Sequence, residues 1–235
     1  MNKIIVDNKI NSNNLNINSD SFIICNTINN SLELNIIENT KVFLYIKNSN
    51  INININLNNN LDIILFVIDS TLNINIDINK QNTKLIYNYR NININDNNYI
   101  LNINHNNKNT ISIVTNNGIN IDNNKLNYII NGYVKKESTN VICNQDSKII
   151  VMKDNNSSIK PNLIIDNNEI DANHSSYIGF FPKEKLFYLK SRGIDENNCL
   201  KLLIKAFLLE KLELSLEEKE LILNEIDMIG RWKYE

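Results

Sequence analysis

The sequence contains two histidines and three cysteines, residue types that commonly bind transition metals. His105 lies in the polar segment NHNNKN, where a solvated imidazole is expected, and His174 lies in EIDANHSSYIG, where position alone indicates a structural residue. Cys25, Cys143 and Cys199 are far apart and form no CxxC pair, so neither a disulfide framework nor a self-contained zinc site is predicted. If a metal binds this chain, some of its ligands must come from elsewhere.

The sequence also lacks the common motifs of independent catalysts. It contains no GxxxxGK[ST], GxGxxG, GxSxG or HExxH segment. The 24 basic and 26 acidic residues give a net charge of -2, without the basic excess expected for nucleic acid or an anionic membrane. There is no apolar window of roughly 20 residues and no signal-peptide pattern. We therefore predict a cytoplasmic protein that is not an enzyme and binds neither nucleic acid nor membranes.

Short runs with strand-like patterns occupy most of the chain. Segments 51–57 (INININL) and 72–78 (LNINIDI) alternate apolar and polar residues strictly, which predicts strands with one buried face. Further runs, whose starts recur about every 10 to 14 residues, are 41–47, 61–68, 84–89, 99–103, 111–115, 125–130, 148–152 and 162–166. This spacing is typical of many short strands joined by turns.

The turns between these runs must be made largely without glycine. Of five glycines in the chain, only Gly118 and Gly132 fall in the main strand-rich part, so Asn is expected to supply most left-handed turn residues. Only Asn117-Gly118 and Asn131-Gly132 resemble tight hairpin turns. This favours a parallel β-solenoid, with a sandwich of hairpins as the alternative. A disordered Asn-rich tract is a further alternative, disfavoured by the regular apolar positions.

A change of composition predicts a domain boundary. Asn is abundant up to about residue 174, whereas Leu, Glu and Lys dominate from Pro182 onward. We assign residues 1–180 to the β domain and residues 181–235 to a helical region.

Helix start and stop signals divide this region. A first helix is predicted over 183–190, with Gly193 as its C-cap glycine. Asp195 can cap a second helix, and Ser215 with Glu218 forms a capping box for a third helix that ends at Gly230.

Four segments carry a resemblance to a known family: 160–163 (KPNL), 172–175 (ANHS), 186–194 (LFYLKSRGI) and 206–208 (AFL). In this order and spacing they resemble the C-terminal region of the SufB/SufD family of the SUF iron–sulfur cluster assembly system. The resemblance covers residues 147–212. It implies a right-handed parallel β-helix followed by a short helical region.

The resemblance also implies a function. Members of the family pair through their β-helices, and each helical region docks a SufC-type ABC ATPase. The nascent iron–sulfur cluster is assembled near the interface. This chain would then be a non-catalytic scaffold that pairs with a SufB-type subunit or with itself, shares a transient cluster and binds no nucleotide. Ser175 stands where SufB-type chains carry Glu, which favours a SufD-like subunit.

His174 matches the histidine of SufD-type proteins that is implicated in cluster formation, so the resemblance makes it the candidate metal ligand. SufD-type chains often carry Cys two residues earlier, but this chain has Ala172. Cys143 lies near the segment where SufB-type chains carry an acceptor cysteine, although the closest match by counting is Gln145. Cys143 is therefore either a core residue or a part of the cluster assembly site, whereas Cys25 is expected in the core and Cys199 in packing or at the surface.

The helical region supplies the candidate docking residues for the ATPase. Lys183, Glu184, Lys190 and Arg192 are expected on its exposed face. These four charges can contact a partner, or they can simply be a solvated helix face.

Two other classes of function are compatible with a β-solenoid. A structural solenoid, such as an adhesin or a filament, predicts export signals or polymerising ends. A polysaccharide-cleaving β-helix enzyme predicts clustered Asp, Arg or Lys on one face. The sequence shows neither, and Arg90 is the only arginine before residue 192.

Overall fold

The computed structural model describes residues 1–6 and 14–229. Within these ranges, the strands form one sheet of eight and one sheet of seven. The strands are β1 (Asn2–Val6), β2 (Asn14–Ile17), β3 (Ser21–Asn26), β4 (Asn29–Ile36), β5 (Thr40–Lys47), β6 (Asn50–Leu57), β7 (Leu61–Ile68), β8 (Thr71–Ile78), β9 (Lys84–Asn93), β10 (Asn97–His105), β11 (Ile111–Asn120), β12 (Leu126–Val134), β13 (Val141–Val151), β14 (Ser158–Ile165) and β15 (Ile170–Gly179).

The chain alternates between the two sheets. The odd-numbered strands form the odd sheet, in the order β1 to β15, and the even-numbered strands form the even sheet, in the order β2 to β14. The printed pairings between neighbouring strands are parallel, for example β5 with β7 and β6 with β8. Each coil therefore adds one strand to each sheet, which is a parallel β-helix. The predicted solenoid is confirmed, and the sandwich of hairpins is wrong.

Most predicted runs correspond to observed strands, but β1 to β4 and β15 lie outside them. The Asn-Gly pairs form no hairpin turns, because Gly118 lies inside β11 and Gly132 lies inside β12. Turns with positive φ use Asn at residues 48, 82, 109 and 140, and other non-glycine residues at Thr27, Asp69 and Lys211. The prediction that Asn supplies most left-handed positions is confirmed.

The coils become longer toward the C-terminal end of the β-helix. Successive coils place Thr40 beside Leu61, a step of 21 residues, whereas Ile111 lies beside Ile142, a step of 31 residues. The interior changes with this widening. Aliphatic residues fill the early coils, and the aromatic rings of Tyr87, Tyr89, Tyr99 and Tyr128 fill the later ones. The larger rings occupy the space that the wider coils create.

Asparagines on the outer face of the even sheet form a hydrogen-bonded ladder. The amide nitrogen of Asn75 donates to Asn54, that of Asn102 to Asn75, and that of Asn131 to Asn102, at 2.7–3.1 Å. Asn162 continues the ladder to the last coil. In-register parallel strands place identical side chains one above another, so each amide meets the next.

The C-terminal helices begin and end largely where the sequence predicts. They are α1 (Lys183–Ser191), α2 (Glu196–Leu209) and α3 (Leu216–Met228). Gly193 has a φ of +82°, which suits its predicted C-cap role. The Asp195 side chain accepts a hydrogen bond from Asn198 N, and Ser215 forms the capping box with Glu218. The predicted end of the third helix at Gly230 lies outside the described residues.

Helices α2 and α3 cover the outer face of the odd sheet. Leu200, Ile204 and Leu208 of α2 are buried, as are Ile222 and Ile226 of α3. They pack on a group of aromatic and aliphatic side chains of the sheet that includes Phe22, Phe43, Phe66, Ile92 and Ile150. The buried apolar positions of each helix lie four residues apart, so each helix buries one apolar face. Strands end at Gly179 and α1 begins at Lys183; the division into two domains stays a prediction.

Candidate functional site

The last coil leaves one end of the β-helix open. Among the described residues, β15 pairs only with β13, and β14 pairs only with β12. Three apolar side chains near this end, Ile164, Tyr177 and Ile178, are each more than two fifths exposed. Free strand edges beside exposed apolar residues can pair with another chain.

His174 lies on the interior face of this open end. It pairs in register with Gln145, and paired residues in a parallel ladder point to the same face. Its neighbours point outward: Ser175 Oγ donates to Asp146 at 2.6 Å, and Asn173 Nδ2 donates to Asn144 at 3.4 Å. No further coil covers His174 in the described chain, which leaves its side chain exposed. His174 belongs to strand β15. The sequence gives no clear signal for this last strand, because polar residues occupy both of its faces.

Cys143 lies one coil below, in register with Ala172. Its side chain is fully buried. Burial raises the pKa of the thiol, while the neighbouring polar groups of Ser112 and Gln145 act in the opposite direction. A Cβ added at Gly132 would lie 2.7 Å from the Cys143 sulfur, so the glycine makes room for the thiol. The structure therefore places Cys143 in the interior, one rung away from the open end.

Gln145 is the polar residue directly beneath His174. It is almost completely buried, and neither atom of its amide has a hydrogen-bond partner of normal geometry. A buried amide without partners costs about 1–3 kcal/mol. Nothing in the local sequence marks Gln145, because a buried amide without partners has no signature in sequence.

His105 corrects an expectation from the sequence. It was predicted to be a solvated loop residue, but it is the last residue of β10 and is fully buried. Its Nδ1 lies 2.8 Å from Thr110 Oγ1, and its Nε2 lies 2.9 Å from Ser112 Oγ. Burial lowers the pKa of His105 to about 4. The polar segment NHNNKN begins inside a strand, so its composition alone is misleading.

The second candidate surface lies at α1. Phe180, Phe181, Leu186 and Phe187 line a groove of about 770 Å³ whose rim includes the lysines 183 and 190. The Phe187 side chain is 75 % exposed, and α1 has no buried residue. The groove is thus mainly apolar with a basic rim.

The candidate docking charges are all exposed around this helix. Lys183 and Glu184 begin α1. Lys190 forms an ion pair with Glu196 at 2.8 Å, and the guanidinium of Arg192 lies over the ring of Tyr188. Their exposure fits both a docking surface and a solvated helix face.

No group of three or more His, Cys, Asp or Glu side chains could hold a metal ion within residues 1–6 and 14–229. In the same ranges, the helices are too short or too polar to cross a membrane.

Fold and surfaces together describe a β-helical protein with an open end and a separate apolar groove, both suited to contact with other chains. A sequence model of the family "SUF system FeS cluster assembly, SufBD core domain" matches residues 39–207. The chain therefore belongs to the SufBD family, and the predicted family is confirmed.

Known relatives match a shorter segment. An iron–sulfur cluster assembly SufBD family protein of Mycobacterium leprae (strain TN) is 50 % identical over 48 residues, and one of Mycobacterium tuberculosis (strain ATCC 25618 / H37Rv) is 48 % identical over 48 residues. Each match covers 20 % of this chain and 12 % of the relative. The aligned part is thus a small fraction of the relatives' length.

Proposed function

We propose that this chain is a non-catalytic, SufD-like scaffold subunit of an iron–sulfur cluster assembly complex in the cytoplasm. It pairs with a SufB-type subunit, or with a second copy of itself, and docks a SufC-type ATPase. The observation that carries the proposal is His174: an exposed imidazole stands on the interior face of the open end, in a chain of the SufBD family. The cluster is cargo that the two subunits share.

The open end supports the pairing. The free edges of β14 and β15 offer backbone groups to another strand, and Tyr177 and Ile178 offer apolar surface that a partner would cover. The chain itself brings few metal ligands to this end. A cluster with His174 as one ligand would therefore take its remaining ligands from the partner, which also makes the cluster easier to release.

Cys143 takes a secondary place in the proposal. Its thiol is buried one rung below Ala172 and can reach the open end only if the last coil moves. We assign it first to the core. It becomes a participant in cluster assembly only when partner binding rearranges β15.

The groove at α1 supports the docking of the ATPase. Its apolar lining and the lysines 183 and 190 fit a partner surface with apolar side chains beside acidic ones. Glu184 and Arg192 flank the same surface and contribute orientation rather than most of the affinity.

The test is co-expression of the full chain with the SufB-type and SufC-type proteins of the same organism, followed by affinity purification and native mass determination. A complex that contains both partners is expected. Recovery of the folded chain alone would contradict the proposal and favour a structural solenoid.

Single substitutions test whether the ATPase docks at the groove of α1. Phe187→Ser and Lys183→Glu should each reduce recovery of the ATPase while the scaffold pairing is retained. Lys219→Glu is the matched control, because it reverses an exposed charge on α3 away from the groove. Equal recovery with all three variants would show that the ATPase binds elsewhere.

A further inference from the structure

Arg90 is a fully buried arginine on β9 that joins the β-helix to helix α2. Its Nε donates to the carbonyl of Leu208 at 3.0 Å, and its Nη2 donates to the carbonyl of Glu210 at 3.1 Å. Its Nη1 donates to the carbonyls of Tyr89 and Thr115, each at 3.1 Å. A contact from Nη2 to Asn88 Oδ1 at 3.4 Å completes the set, so all five N–H groups of the guanidinium have an acceptor.

The acceptors on the helical side are the free carbonyls at the C-terminal end of α2. This end of a helix carries partial negative charge, which stabilises a cation. Burial lowers the pKa of Arg90 to about 10, so the guanidinium stays charged at neutral pH. Asn117 of β11 forms a further hydrogen bond between the β-helix and α2, because its Nδ2 donates to the carbonyl of Phe207 at 3.1 Å.

One of the acceptors on the β-helix, Thr115, lies toward the open end. Thr115 lies on β11, and it borders a groove of about 200 Å³ with Gln145, Asp146 and His174 on the next two rungs. The guanidinium therefore connects the end of α2 to β9 and β11, and β11 pairs with β13, which in turn pairs with β15. Helix α2 itself contacts α1, which carries the apolar groove.

We propose that Arg90 is a positioning residue that couples the docking helices to the open end of the β-helix. It holds the end of α2 against β9 and β11. When the bound ATPase displaces α1 and α2, the C-terminal coils of the β-helix therefore move with the helices, and the helical region does not bend away from them. This inference rests on the proposed docking of an ATPase at α1. Lysine cannot replace the planar five-donor group, because an ammonium offers three donors from a single point.

The experiment uses the co-purified complex and hydrogen–deuterium exchange. In the wild type, addition of the ATPase partner should change the exchange of the β13 and β15 backbone amides. Arg90→Met retains the apolar stem, and its complex should contain the ATPase at the wild-type ratio while the change at β15 is lost. Arg90→Lys should restore part of the change. Lys219→Met is the control, since this exposed lysine lies on α3 away from the groove and should respond like the wild type.

The outcomes separate this inference from the proposed function. A wild-type complex that does not form overturns the proposed function and the inference with it. A complex that forms while Arg90→Met responds like the wild type, or while β15 never responds, overturns the inference alone. If Arg90→Met does not fold, Asn117→Ala replaces it, because that variant removes only the hydrogen bond to Phe207. It should weaken the response at β15, and an undiminished response would overturn the inference.

Discussion

The β-helix has two halves that differ in what fills them. In the narrow half, β3 to β8, coils of 21 residues enclose aliphatic side chains such as Leu44, Ile53 and Leu65. In the wide half, β9 to β15, longer coils enclose tyrosines together with His105 and Gln145. The two halves share one backbone plan. The narrow half thus has an aliphatic interior, whereas the wide half also encloses polar groups toward the end that we assign to function.

Unpaired polar atoms sharpen this contrast. Within the described residues, the buried side-chain atoms without a hydrogen-bond partner belong to Tyr89, Asn91, Asn117, Tyr128 and Gln145, all in the wide half. Such atoms reduce stability, and proteins tend to keep local violations of this kind at functional sites. The wide half is therefore destabilised by buried polar atoms that a purely apolar interior would not contain.

The largest expected effect is in the narrow half. Leu65→Ala removes a fully buried side chain and should lower the free energy of unfolding by about 2–5 kcal/mol. Gln145→Met is the counterpart in the wide half. It should be neutral or stabilising, because it replaces an amide without partners by an apolar side chain. Urea denaturation followed by circular dichroism measures the free energy of unfolding of both variants. An equal loss of stability in the two would contradict the difference between the narrow and the wide half.

The next effect concerns pH and His105. Its pKa is about 4 in the folded chain against an ordinary value of 6.5, so the unfolded chain binds the proton more readily between these values. Stability should therefore fall as the pH is lowered from about 6.5 to about 4, by about 3 kcal/mol in total. His105→Asn should remove this part of the slope in denaturation curves recorded across that range. His174→Ala is the control and should keep it, because that substitution leaves His105 in place. A slope unchanged by His105→Asn would contradict the assignment.

A smaller effect is expected at Gly118 in the wide half. A Cβ at this position would collide with the hydroxyl of Tyr128, so Gly118→Ala should cost about 1–3 kcal/mol. The double variant with Tyr128→Phe should recover part of this loss, because it removes the colliding hydroxyl. Thermal unfolding of the four chains of this cycle measures the coupling, and strict additivity would argue against the contact.

The smallest effect is on the outer ladder that both halves share. Asn102→Ala removes the hydrogen bonds to Asn75 and from Asn131 and should cost about 1 kcal/mol. Asn52→Ala is the matched control, since Asn52 is an exposed asparagine on the same face whose side chain forms no hydrogen bond with any described residue. Its stability should stay within about 0.5 kcal/mol of the wild type. If both variants lose the same amount, the ladder contributes nothing beyond the individual side chains.

The sequence predicts the solenoid well because its regular parts follow simple periodicities. Strict alternation in 51–57 and 72–78, and the apolar faces of α2 and α3, each reflect one buried face of a regular element. The prediction fails where tertiary packing overrides local pattern. The pairs Asn117-Gly118 and Asn131-Gly132 resemble hairpin turns in the sequence, but the two glycines make room inside strands for Tyr128 and Cys143. Strand β15 was missed because the last coil has no neighbour to bury its interior face.

The candidate site was only partly predictable. His174 was found through the family resemblance, since nothing in its spacing marks it as a ligand. Its place above Gln145, and the role of Arg90 at the end of α2, depend on contacts between residues about 29 and 118 positions apart. Periodicity and motifs describe local structure, so such contacts appear only when the coils are stacked.

The most direct test of the account is the iron and acid-labile sulfide content of the purified complex with and without His174. We expect the wild-type complex and the Asn173→Ala complex to carry both, because Asn173 is the exposed neighbour that points to the outer face of the same strand. The His174→Ala complex should assemble with the same partners and lose the iron and sulfide. A His174→Ala complex that retains both at the wild-type level would contradict the claim that the open, wide end of the β-helix is where the cluster is held.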